Sequence, residues 1–304
     1  MEPRIIVHGG AWDIPEDLWG SHRNGCSKAA QEGYSALQKG ATAVDAVEIA
    51  VRVMEDDPTF DAGRGSFLNA DGEVEMDATI MDGDDLSFGA VAAVQHILHP
   101  ITLARQIMER TQHCMLVGEG ALKYARSIGM PTVAQENLLT DREMKRWLEI
   151  KKKQSFEHRE LFDPAKDRYS PRGTVGAVAI DSKGKISAAT STGGTPNKMA
   201  GRVGDSSIIG CGNYADSRSA GVSATGWGEP LMKAVMARRV CENVEKGRTV
   251  KEAGDEAIRY LEERVKGYGG VIVLDIAGNM SFSFNTPRMA IAGIGRTGEP
   301  FEYI

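Results

Sequence analysis

Cysteine, long apolar runs and an excess of positive charge are what this 304-residue sequence lacks. Its four cysteines, Cys26, Cys114, Cys211 and Cys241, stand singly and form no C-x-x-C pair. Scattered cysteines are typical of a reducing compartment and argue against a structural zinc site. The first residues contain no basic segment followed by an apolar one, so we expect no secretory signal and a cytoplasmic protein.

The charge balance and the hydropathy pattern exclude two kinds of partner. The formal net charge is −6, which leaves no broad basic face for the phosphate backbone of a nucleic acid. No apolar run reaches the roughly 18 residues of a membrane-spanning helix. The composition, 41% hydrophobic and 26% charged, is that of an ordinary globular protein. We expect neither nucleic acid nor membrane as a partner.

Motifs of several common sites are also absent. The chain has no G-x-x-x-x-G-K-[ST] motif, no G-x-G-x-x-G between a strand and a helix, and no G-x-S-x-G. His96 and His99 form an H-x-x-H pair, but a zinc site uses three or four ligands. We therefore expect no organic cofactor and no metal held by side chains.

Glycine, in contrast, is abundant: there are 35 glycines, where an average content of ~7% would give about 21. They separate helical and strand patterns that occur in clusters. Helices are predicted over 24–38, 43–56, 100–109, 118–128, 141–153, 230–245 and 250–265. Strands are predicted over 5–7, 73–81, 88–95, 174–180, 186–191, 221–224, 271–274 and 280–284. This arrangement predicts stacked sheets with helices on the outside.

One segment differs in composition from the rest of the chain. Eleven of the 23 residues at 151–173 are charged, two are proline, and Leu161 is the one aliphatic residue. Such a segment cannot bury enough apolar surface to become ordered. The composition therefore predicts a mobile surface linker that ends at Gly173.

The junction after this linker is a candidate nucleophile site. Thr174 opens a predicted buried strand, and cleavage of the Gly173–Thr174 bond would give it a free α-amine beside its hydroxyl. An α-amine titrates at about pH 7.7–8.0, so part of it is neutral at pH 7 and can act as general base for the hydroxyl. The alternative is a strand that merely begins with threonine.

Two glycine-rich segments are candidate binding sites. In 190–205, Arg202 can hold a carboxylate through two hydrogen bonds, and Asp205 can hold an ammonium group. Together they would bind the head group of an α-amino acid; the alternative is a surface salt bridge. Thr225 to Glu229 form a strand-to-helix turn whose N–H groups can face an anion, or a simple helix N-cap.

These residues belong to an ordered set of motifs. The motifs are His8-Gly-Gly, Phe60-x-Ala-Gly-x-Gly, Glu75-Met-Asp-Ala-x-Ile-Met-Asp-Gly83, Gly173-Thr-Val-Gly-Ala-Val-Ala, Ser191-Thr-Gly-Gly, Asn197-Lys-Met-x-Gly-Arg-Val-Gly-Asp-Ser206, Thr225-Gly-x-Gly-Glu229 and Phe284-Asn-Thr286. In this order, over nearly the whole chain, the set resembles the plant-type asparaginase and isoaspartyl aminopeptidase family of N-terminal-nucleophile hydrolases. Glycine before the threonine resembles its asparaginase branch, since the glycosylasparaginase and taspase branches usually have aspartate there.

The resemblance implies a fold and a maturation step. The fold would be α+β, a four-layer αββα sandwich that forms a single domain over 1–304. An inactive precursor would cleave itself between Gly173 and Thr174. The products would be an α subunit, 1–173, with a mobile tail at about 151–173, and a β subunit, 174–304. Two such pairs would form a homodimer.

The resemblance also implies catalytic roles. Thr174 would attack the side-chain carbonyl of L-asparagine or of a β-aspartyl (isoaspartyl) dipeptide, and L-aspartate would be released. The hydroxyl of Thr225 and the N–H of Gly226 would hold the oxyanion. Thr192 would orient Thr174 through a hydrogen bond.

Four further residues are implied in substrate recognition. Arg202 would hold the α-carboxylate, and Asp205 with the carbonyl of Gly228 would hold the α-ammonium group. Asp61 stands where the family usually has asparagine. Its carboxylate would alter contacts to the substrate or raise the pKa of the Thr174 ammonium group. Trp227 occupies a turn position that is commonly smaller or polar.

The family also binds a structural sodium ion through main-chain carbonyls. The corresponding loop runs from about Met54 to Arg64, with the carbonyls of Met54, Glu55, Phe60, Ala62 and Arg64 as expected ligands. Carbonyl ligands leave no side-chain pattern, so the sequence neither supports nor opposes the ion.

Two other functions compete with the leading one. The first is a catalytically impaired, non-cleaving member of the family that acts as a binding protein. Asp61 is the one feature of the sequence that suggests it. The second is a related amidase that acts on a different leaving group.

Overall fold

Two β-sheets form the middle of the structure, a computed structural model that describes residues 1–152, 173–296 and 298–304. The strands are β1 (Arg4–Trp12), β2 (Met76–Asp82), β3 (Phe88–Val94), β4 (Met115–Val117), β5 (Val175–Ile180), β6 (Ile186–Thr192), β7 (Asn213–Ala215), β8 (Ala220–Gly226), β9 (Gly269–Asp275), β10 (Met280–Phe284), β11 (Arg288–Ile294) and β12 (Pro300–Tyr303). The helices are α1 (Trp19–Gln38), α2 (Ala43–Glu55), α3 (Pro100–Arg110), α4 (Gly118–Ser127), α5 (Asp141–Lys152), α6 (Gly228–Ala234), α7 (Met236–Glu245) and α8 (Val250–Val265). None of these helices has the length and apolar character needed to cross a membrane. The predicted mobile linker lies almost entirely outside the described residues.

The order of the strands places the start of β5 in the centre of the large sheet. That sheet runs β12-β11-β1-β5-β6-β2-β3-β4, and the small sheet runs β10-β9-β8-β7. His8 of β1 is opposite Gly176, and Val175 is opposite Ser191 of β6. The first residues of β5 therefore lie between the second half of β1 and the end of β6.

The structure has four layers, and a hydrophobic cluster lies between each layer and the next. Each sheet contributes to two clusters, because successive side chains of a strand point to opposite faces. Ile5 and Val7 of β1 pack with residues of α1 and α2, whereas Ile6 packs between the two sheets. In the small sheet, Val271 packs with residues of α7 and α8, and Ile272 faces the large sheet. The order helix, sheet, sheet, helix confirms the predicted αββα sandwich.

The end of α2 leads into the loop that reaches the start of β5. Thr42 and Asp45 form a reciprocal capping box that starts α2. The helix ends at Glu55, shortly before Pro58, because proline cannot continue a helix. The next residues bring the N–H of Asp61 to the carbonyl of Gly173. This loop therefore joins the first helical layer to the Gly173–Thr174 junction.

The structure differs from the sequence prediction in several elements. The strands β4, β7, β11 and β12 are absent from the prediction, and α1 begins five residues earlier. The predicted single helix over 230–245 is wrong, because Val235 adopts a left-handed conformation (φ 48°) that separates α6 from α7. The N–H groups of Ala237 and Arg238 donate to the carbonyls of Cys211 and Gly210, so the chain begins a new helix there.

Candidate active site

Thr174 lies immediately before β5, and only 9% of its surface is exposed. Its hydroxyl donates to the hydroxyl of Thr192, with 3.1 Å between the two oxygens. Thr192 ends β6 and lies beside Thr174 because Val175 pairs with Ser191. The N–H of Gly194 also donates to the Thr192 oxygen (3.0 Å). The structure thus brings the predicted nucleophile and the predicted orienting hydroxyl together.

Asp61 lies beside the Gly173–Thr174 junction, where it bonds to Gly173 and to Thr192, the hydrogen-bond partner of Thr174. Its N–H donates to the Gly173 carbonyl oxygen (3.3 Å), and its Oδ2 accepts from the Thr192 hydroxyl (3.3 Å). Its Oδ1 accepts the N–H of Phe67 (3.0 Å). Burial raises the pKa of the Asp61 carboxyl. Thr192 in turn accepts from the hydroxyl of Thr174. We call Asp61, Gly173, Thr174 and Thr192 the nucleophile cluster; contact of Asp61 with the substrate stays a prediction.

The replacement Asp61→Asn is expected to raise activity more at about pH 8 than at about pH 6. Burial raises the pKa of Asp61 to about 7, so the carboxylate that keeps the Thr174 α-amine protonated predominates only above that pH. Asparagine removes that charge and retains an oxygen for the N–H of Phe67. The measurement is kcat/KM for a β-aspartyl dipeptide across this pH range. A pH profile identical to that of the wild type would show that the carboxylate has no such influence.

Arg202, Asp205 and Gly228 lie together in a second group, the head-group cluster. A methyl group built on Gly228 would lie 2.8 Å from Arg202 Nη2 and 3.1 Å from Asp205 Oδ1. The Nε of Arg202 donates to Oε1 of Glu229 (2.9 Å). Oδ2 of Asp205 is buried without a hydrogen-bond partner in the described part of the chain. An arginine beside an unpartnered carboxylate fits the two charges of an α-amino acid.

The Asp205 carboxyl changes its charge close to neutral pH. Burial raises the pKa of this carboxyl to about 7, although the positive charge of Arg202 opposes the shift. The negative charges of Asp77 and Glu229 raise it further. Asp77 is held in place because its Oδ2 accepts the N–H of Gly204 (2.9 Å). An ammonium group would therefore be bound more strongly above neutral pH than below it.

Thr225 and Gly226 end β8 at the turn before α6. Thr225 is buried, and Gly226 has a φ of 143°. A methyl group on Gly226 would lie 2.4 Å from the Tyr268 carbonyl oxygen, so only glycine fits. Trp227 occupies the N-cap position of α6, and no side-chain cap hydrogen bond is formed there. The alternative of a simple N-cap made by Thr225 or Glu229 is therefore wrong.

Three residues near the site have no catalytic or substrate-binding role in the sequence prediction. His8 Nδ1 lies 3.1 Å from the carbonyl oxygen of Thr174. Lys198 is buried, and its Nζ donates to the carbonyl of Glu75 (2.6 Å). Glu229 pairs with Arg202, as described above. All three residues lie within the motifs given above, and membership of a motif is the one signal in the sequence that points to them.

Main-chain carbonyl oxygens pack closely against two glycines in the loop after α2. A methyl group on Gly63 would lie 2.5 Å from the Glu55 carbonyl oxygen, and one on Gly65 would lie 2.5 Å from that of Phe60. Both glycines have positive φ, which permits this close approach. Glu55 Oε2 is buried without a hydrogen-bond partner among the described residues. Oxygen atoms of this kind are the ligands that a hard cation such as sodium takes.

Side chains, in contrast, offer no metal site in the described part of the chain. No three His, Cys, Asp or Glu residues lie close enough there to hold a metal ion together. His99 pairs with Asp56 (2.8 Å), and the Nδ1 of His96 bonds to the carbonyl of Val133 (3.1 Å). The two histidines therefore have structural partners.

A threonine at the head of a central strand, in an αββα sandwich and beside a cluster suited to an amino acid, is typical of N-terminal-nucleophile hydrolases. The asparaginase family model matches residues 1–300. The chain belongs to the asparaginase family, as the motifs predicted.

Three relatives are each named isoaspartyl peptidase/L-asparaginase. The human protein is 49% identical over 95% of this chain and 92% of its own length. The Danio rerio protein is 48% identical (96% and 92%), and the Xenopus laevis protein is 46% identical (97% and 93%).

Proposed function

We propose that the protein is an autoproteolytic threonine hydrolase with isoaspartyl peptidase and L-asparaginase activity. It cleaves β-aspartyl dipeptides and the side-chain amide of L-asparagine, and it releases L-aspartate. The observation that carries the proposal is the Thr174 hydroxyl, 3.1 Å from the Thr192 oxygen and next to a peptide carbonyl that accepts the N–H of Asp61. The names of the relatives support the same activity.

Maturation converts the single domain of 1–304 into fragments 1–173 and 174–304. The Thr174 oxygen attacks the Gly173 carbonyl carbon, and the N–H of Asp61 stabilises the charge that develops on the carbonyl oxygen. The Gly173–Thr174 C–N bond breaks, and the nitrogen takes up the proton that the Thr174 hydroxyl has released and becomes the α-amine. Water then hydrolyses the resulting ester, which gives the Gly173 carboxylate and the free Thr174 hydroxyl.

Hydrolysis of the substrate repeats the same chemistry with the new α-amine as general base. The amine takes the proton of the Thr174 hydroxyl, whose oxygen attacks the side-chain carbonyl of the substrate. Thr225 and Gly226 hold the oxyanion, and the leaving amine or ammonia receives the proton. Water releases aspartate from the acyl-enzyme. Throughout, Arg202 holds the α-carboxylate, while Asp205 and the Gly228 carbonyl hold the α-ammonium group.

The intact mass of the denatured protein tests the proposal directly. Freshly purified protein and the same sample after days at about 37 °C should yield fragments of about 19 and 14 kDa, in proportion to their lengths. The smaller fragment should begin with Thr174. A single uncut chain without activity on either substrate would refute the proposal and favour a non-cleaving binding protein.

The activity is expected to fall as the pH drops below about 7, because a protonated Asp205 cannot hold the substrate ammonium group. The raised pKa means that the carboxylate predominates only above that pH. In the wild type, KM should rise as the pH falls below about 7. In Asp205→Asn the KM should be high at every pH, and the rise at low pH should disappear. The measurement is KM for L-asparagine as a function of pH. A KM that is independent of pH in the wild type would contradict the assignment.

A related amidase with another leaving group is the second candidate. The head-group cluster favours a free aspartyl head group, since Arg202 and Asp205 suit its carboxylate and ammonium. Comparing kcat/KM for L-asparagine, β-aspartyl dipeptides and a glycosylated asparagine separates the candidates. Preference for the glycosylated substrate would support the amidase.

We also propose that the loop after α2 binds sodium through the carbonyls of Met54, Glu55, Phe60, Ala62 and Arg64. The close packing of the Glu55 carbonyl against Gly63 and of the Phe60 carbonyl against Gly65 supports this site. At a sodium concentration of 100 times Kd the ion would add ~2.7 kcal/mol of stability. The thermal midpoint should therefore be higher in NaCl than in choline chloride of equal ionic strength. Equal midpoints would refute the site, and Gly63→Ala should abolish the difference.

The mature form is proposed to be a cytoplasmic homodimer of cleaved pairs. The dimer rests on the family resemblance, and its native mass should be about twice that of one chain. The compartment rests on the cysteines, which are all free, three of them buried. Cell fractionation tests the location.

A further inference from the structure

A chain of buried polar side chains crosses the apolar space between the two sheets, next to the nucleophile. It begins at His8 of β1, in the large sheet. The ring Nδ1 lies 3.1 Å from the carbonyl oxygen of Thr174, and the ring Nε2 lies 2.8 Å from Oγ of Ser223 on β8. One side chain therefore contacts both the residue that carries the nucleophile and a strand of the small sheet.

The series of hydrogen-bonded side chains continues from Ser223 through two more residues. Ser223 Oγ lies 2.6 Å from the Thr190 hydroxyl, and Nδ2 of Asn213 reaches Thr190 (3.3 Å) and the Thr79 carbonyl (2.8 Å). These residues are fully buried. A methyl group on Gly176 would lie 2.1 Å from Ser223 Oγ, so this glycine leaves room for the chain. We call His8, Ser223, Thr190 and Asn213 the inter-sheet hydrogen-bond chain.

The proton positions along this chain follow from its ends. The Thr174 carbonyl can only accept, so His8 Nδ1 carries a proton. Burial lowers the pKa of His8 to about 3, so the ring is neutral and Nε2 accepts from the Ser223 hydroxyl. Ser223 has then used its proton, so at 2.6 Å it accepts from Thr190, although the Gly212 carbonyl is a second acceptor 3.3 Å from the Thr190 hydroxyl. Thr190 accepts from the amide of Asn213. Each link has one allowed direction, which fixes the tautomer and the orientation of the His8 ring.

Such a chain restricts the position of the nucleophile more strongly than apolar packing does, because hydrogen bonds are directional. Thr174 precedes Val175, the first residue of β5 that pairs with β6. After cleavage Thr174 becomes a chain terminus, and termini fray unless other contacts hold them. Ser223 lies two residues before Thr225 on the same face of β8, so the chain also ties Thr174 to the strand of the predicted oxyanion donor.

We propose that His8 is a positioning residue for the nucleophile. It holds the main-chain carbonyl of Thr174 and, through Ser223, sets the nucleophile relative to Thr225. The inference rests on the proposed function. It predicts that loss of His8 or Ser223 lowers kcat and leaves KM nearly unchanged, because the head-group cluster does not include either residue.

The first test measures the His8 tautomer and does not depend on activity. Long-range ¹H–¹⁵N NMR of the whole protein with labelled histidine should show the His8 ring neutral and protonated at Nδ1 from about pH 5.5 to 8. His22 is expected to give a similar signal, because its Nδ1 also bonds to a carbonyl and burial lowers its pKa to about 4; the loss of that signal in His22→Ala tells the two rings apart. Ser223→Ala should shift the Nε2 resonance, since it removes the hydrogen bond to that atom. A His8 ring that is protonated at Nε2, or one that titrates in this range, would overturn the proposal even if the protein is inactive.

The second test compares kinetics in matched variants. His8→Ala is expected to lower kcat by about 100-fold, the scale of a 1 Å misplacement of reacting groups. Ser223→Ala, which deletes one hydroxyl, should cause a smaller loss with KM again within about twofold. The control is His22→Ala, because His22 is equally buried and its Nδ1 also bonds to a main-chain carbonyl, that of Leu18.

The outcomes separate positioning from a structural role. A loss of kcat without a change in KM, at a thermal midpoint no lower than that of His22→Ala, supports the proposal. Unchanged kcat in both Ser223→Ala and His8→Ala overturns it, as does equal loss of kcat in the His22 control. If His8→Ala does not fold, Ser223→Ala decides alone. An inactive but self-cleaved wild type would instead count against the proposed substrates, and the NMR result would then decide the role of His8.

Discussion

Thr174→Ala is expected to remain a single uncut chain and to have no measurable activity on L-asparagine or β-aspartyl dipeptides. The replacement removes the oxygen that attacks both the Gly173 carbonyl and the substrate. It leaves Asp61 and Thr192 hydrogen-bonded to each other, so the fold should survive. Loss of a nucleophile typically costs about 10⁶-fold in kcat. Intact mass and a product assay measure the two effects on one sample.

Thr174→Ser is the matched control, because serine keeps the hydroxyl and loses only a methyl group. It should cleave and turn over, at a reduced rate, since β-branched threonine restricts the side chain to fewer rotamers. Cleaved fragments from Thr174→Ala, or activity in that uncut chain, would contradict the assignment of the nucleophile.

The central strands can be predicted from the sequence because they are buried on both faces. In β5 every residue is buried, and its small and β-branched residues form a continuous apolar run. The strand β12 is different: it lies at the edge of the large sheet, and its residues are partly or fully exposed. Its formation depends on pairing with β11, and no local pattern predicts that pairing.

The site can be predicted in part, and for a physical reason. The motifs name the residues that do chemistry, but the partners of those residues are fixed by tertiary structure. Glu229 pairs with Arg202 from 27 positions away, and His8 contacts Thr174 from 166 positions away. Asp61 illustrates the same limit, because its sequence position reveals a charge change, whereas only the fold reveals that the carboxylate bonds to Thr192.

Arg202→Ala is expected to lower kcat/KM for both substrates by roughly 100-fold, or ~3 kcal/mol, mainly through KM. Arginine binds a carboxylate with two parallel hydrogen bonds, and the truncation would leave the substrate α-carboxylate and Glu229 without that partner. Self-cleavage should continue, because the nucleophile cluster of Gly173, Thr174, Thr192 and Asp61 makes its hydrogen bonds without Arg202. The variant therefore separates maturation from substrate binding.

Arg238→Ala provides the control for removing an arginine–glutamate pair. Arg238 bonds to Glu245 (2.8 Å) and stacks on Tyr214, outside the head-group cluster. Its loss should change stability slightly and leave KM unaltered. Arg202→Lys should recover only part of the affinity, because an ammonium group is a point charge and cannot form the planar paired contact. If Arg202→Ala kept the wild-type KM, or if Arg238→Ala raised KM equally, the α-carboxylate would have to be bound elsewhere. The identity of the substrate would then no longer follow from this cluster.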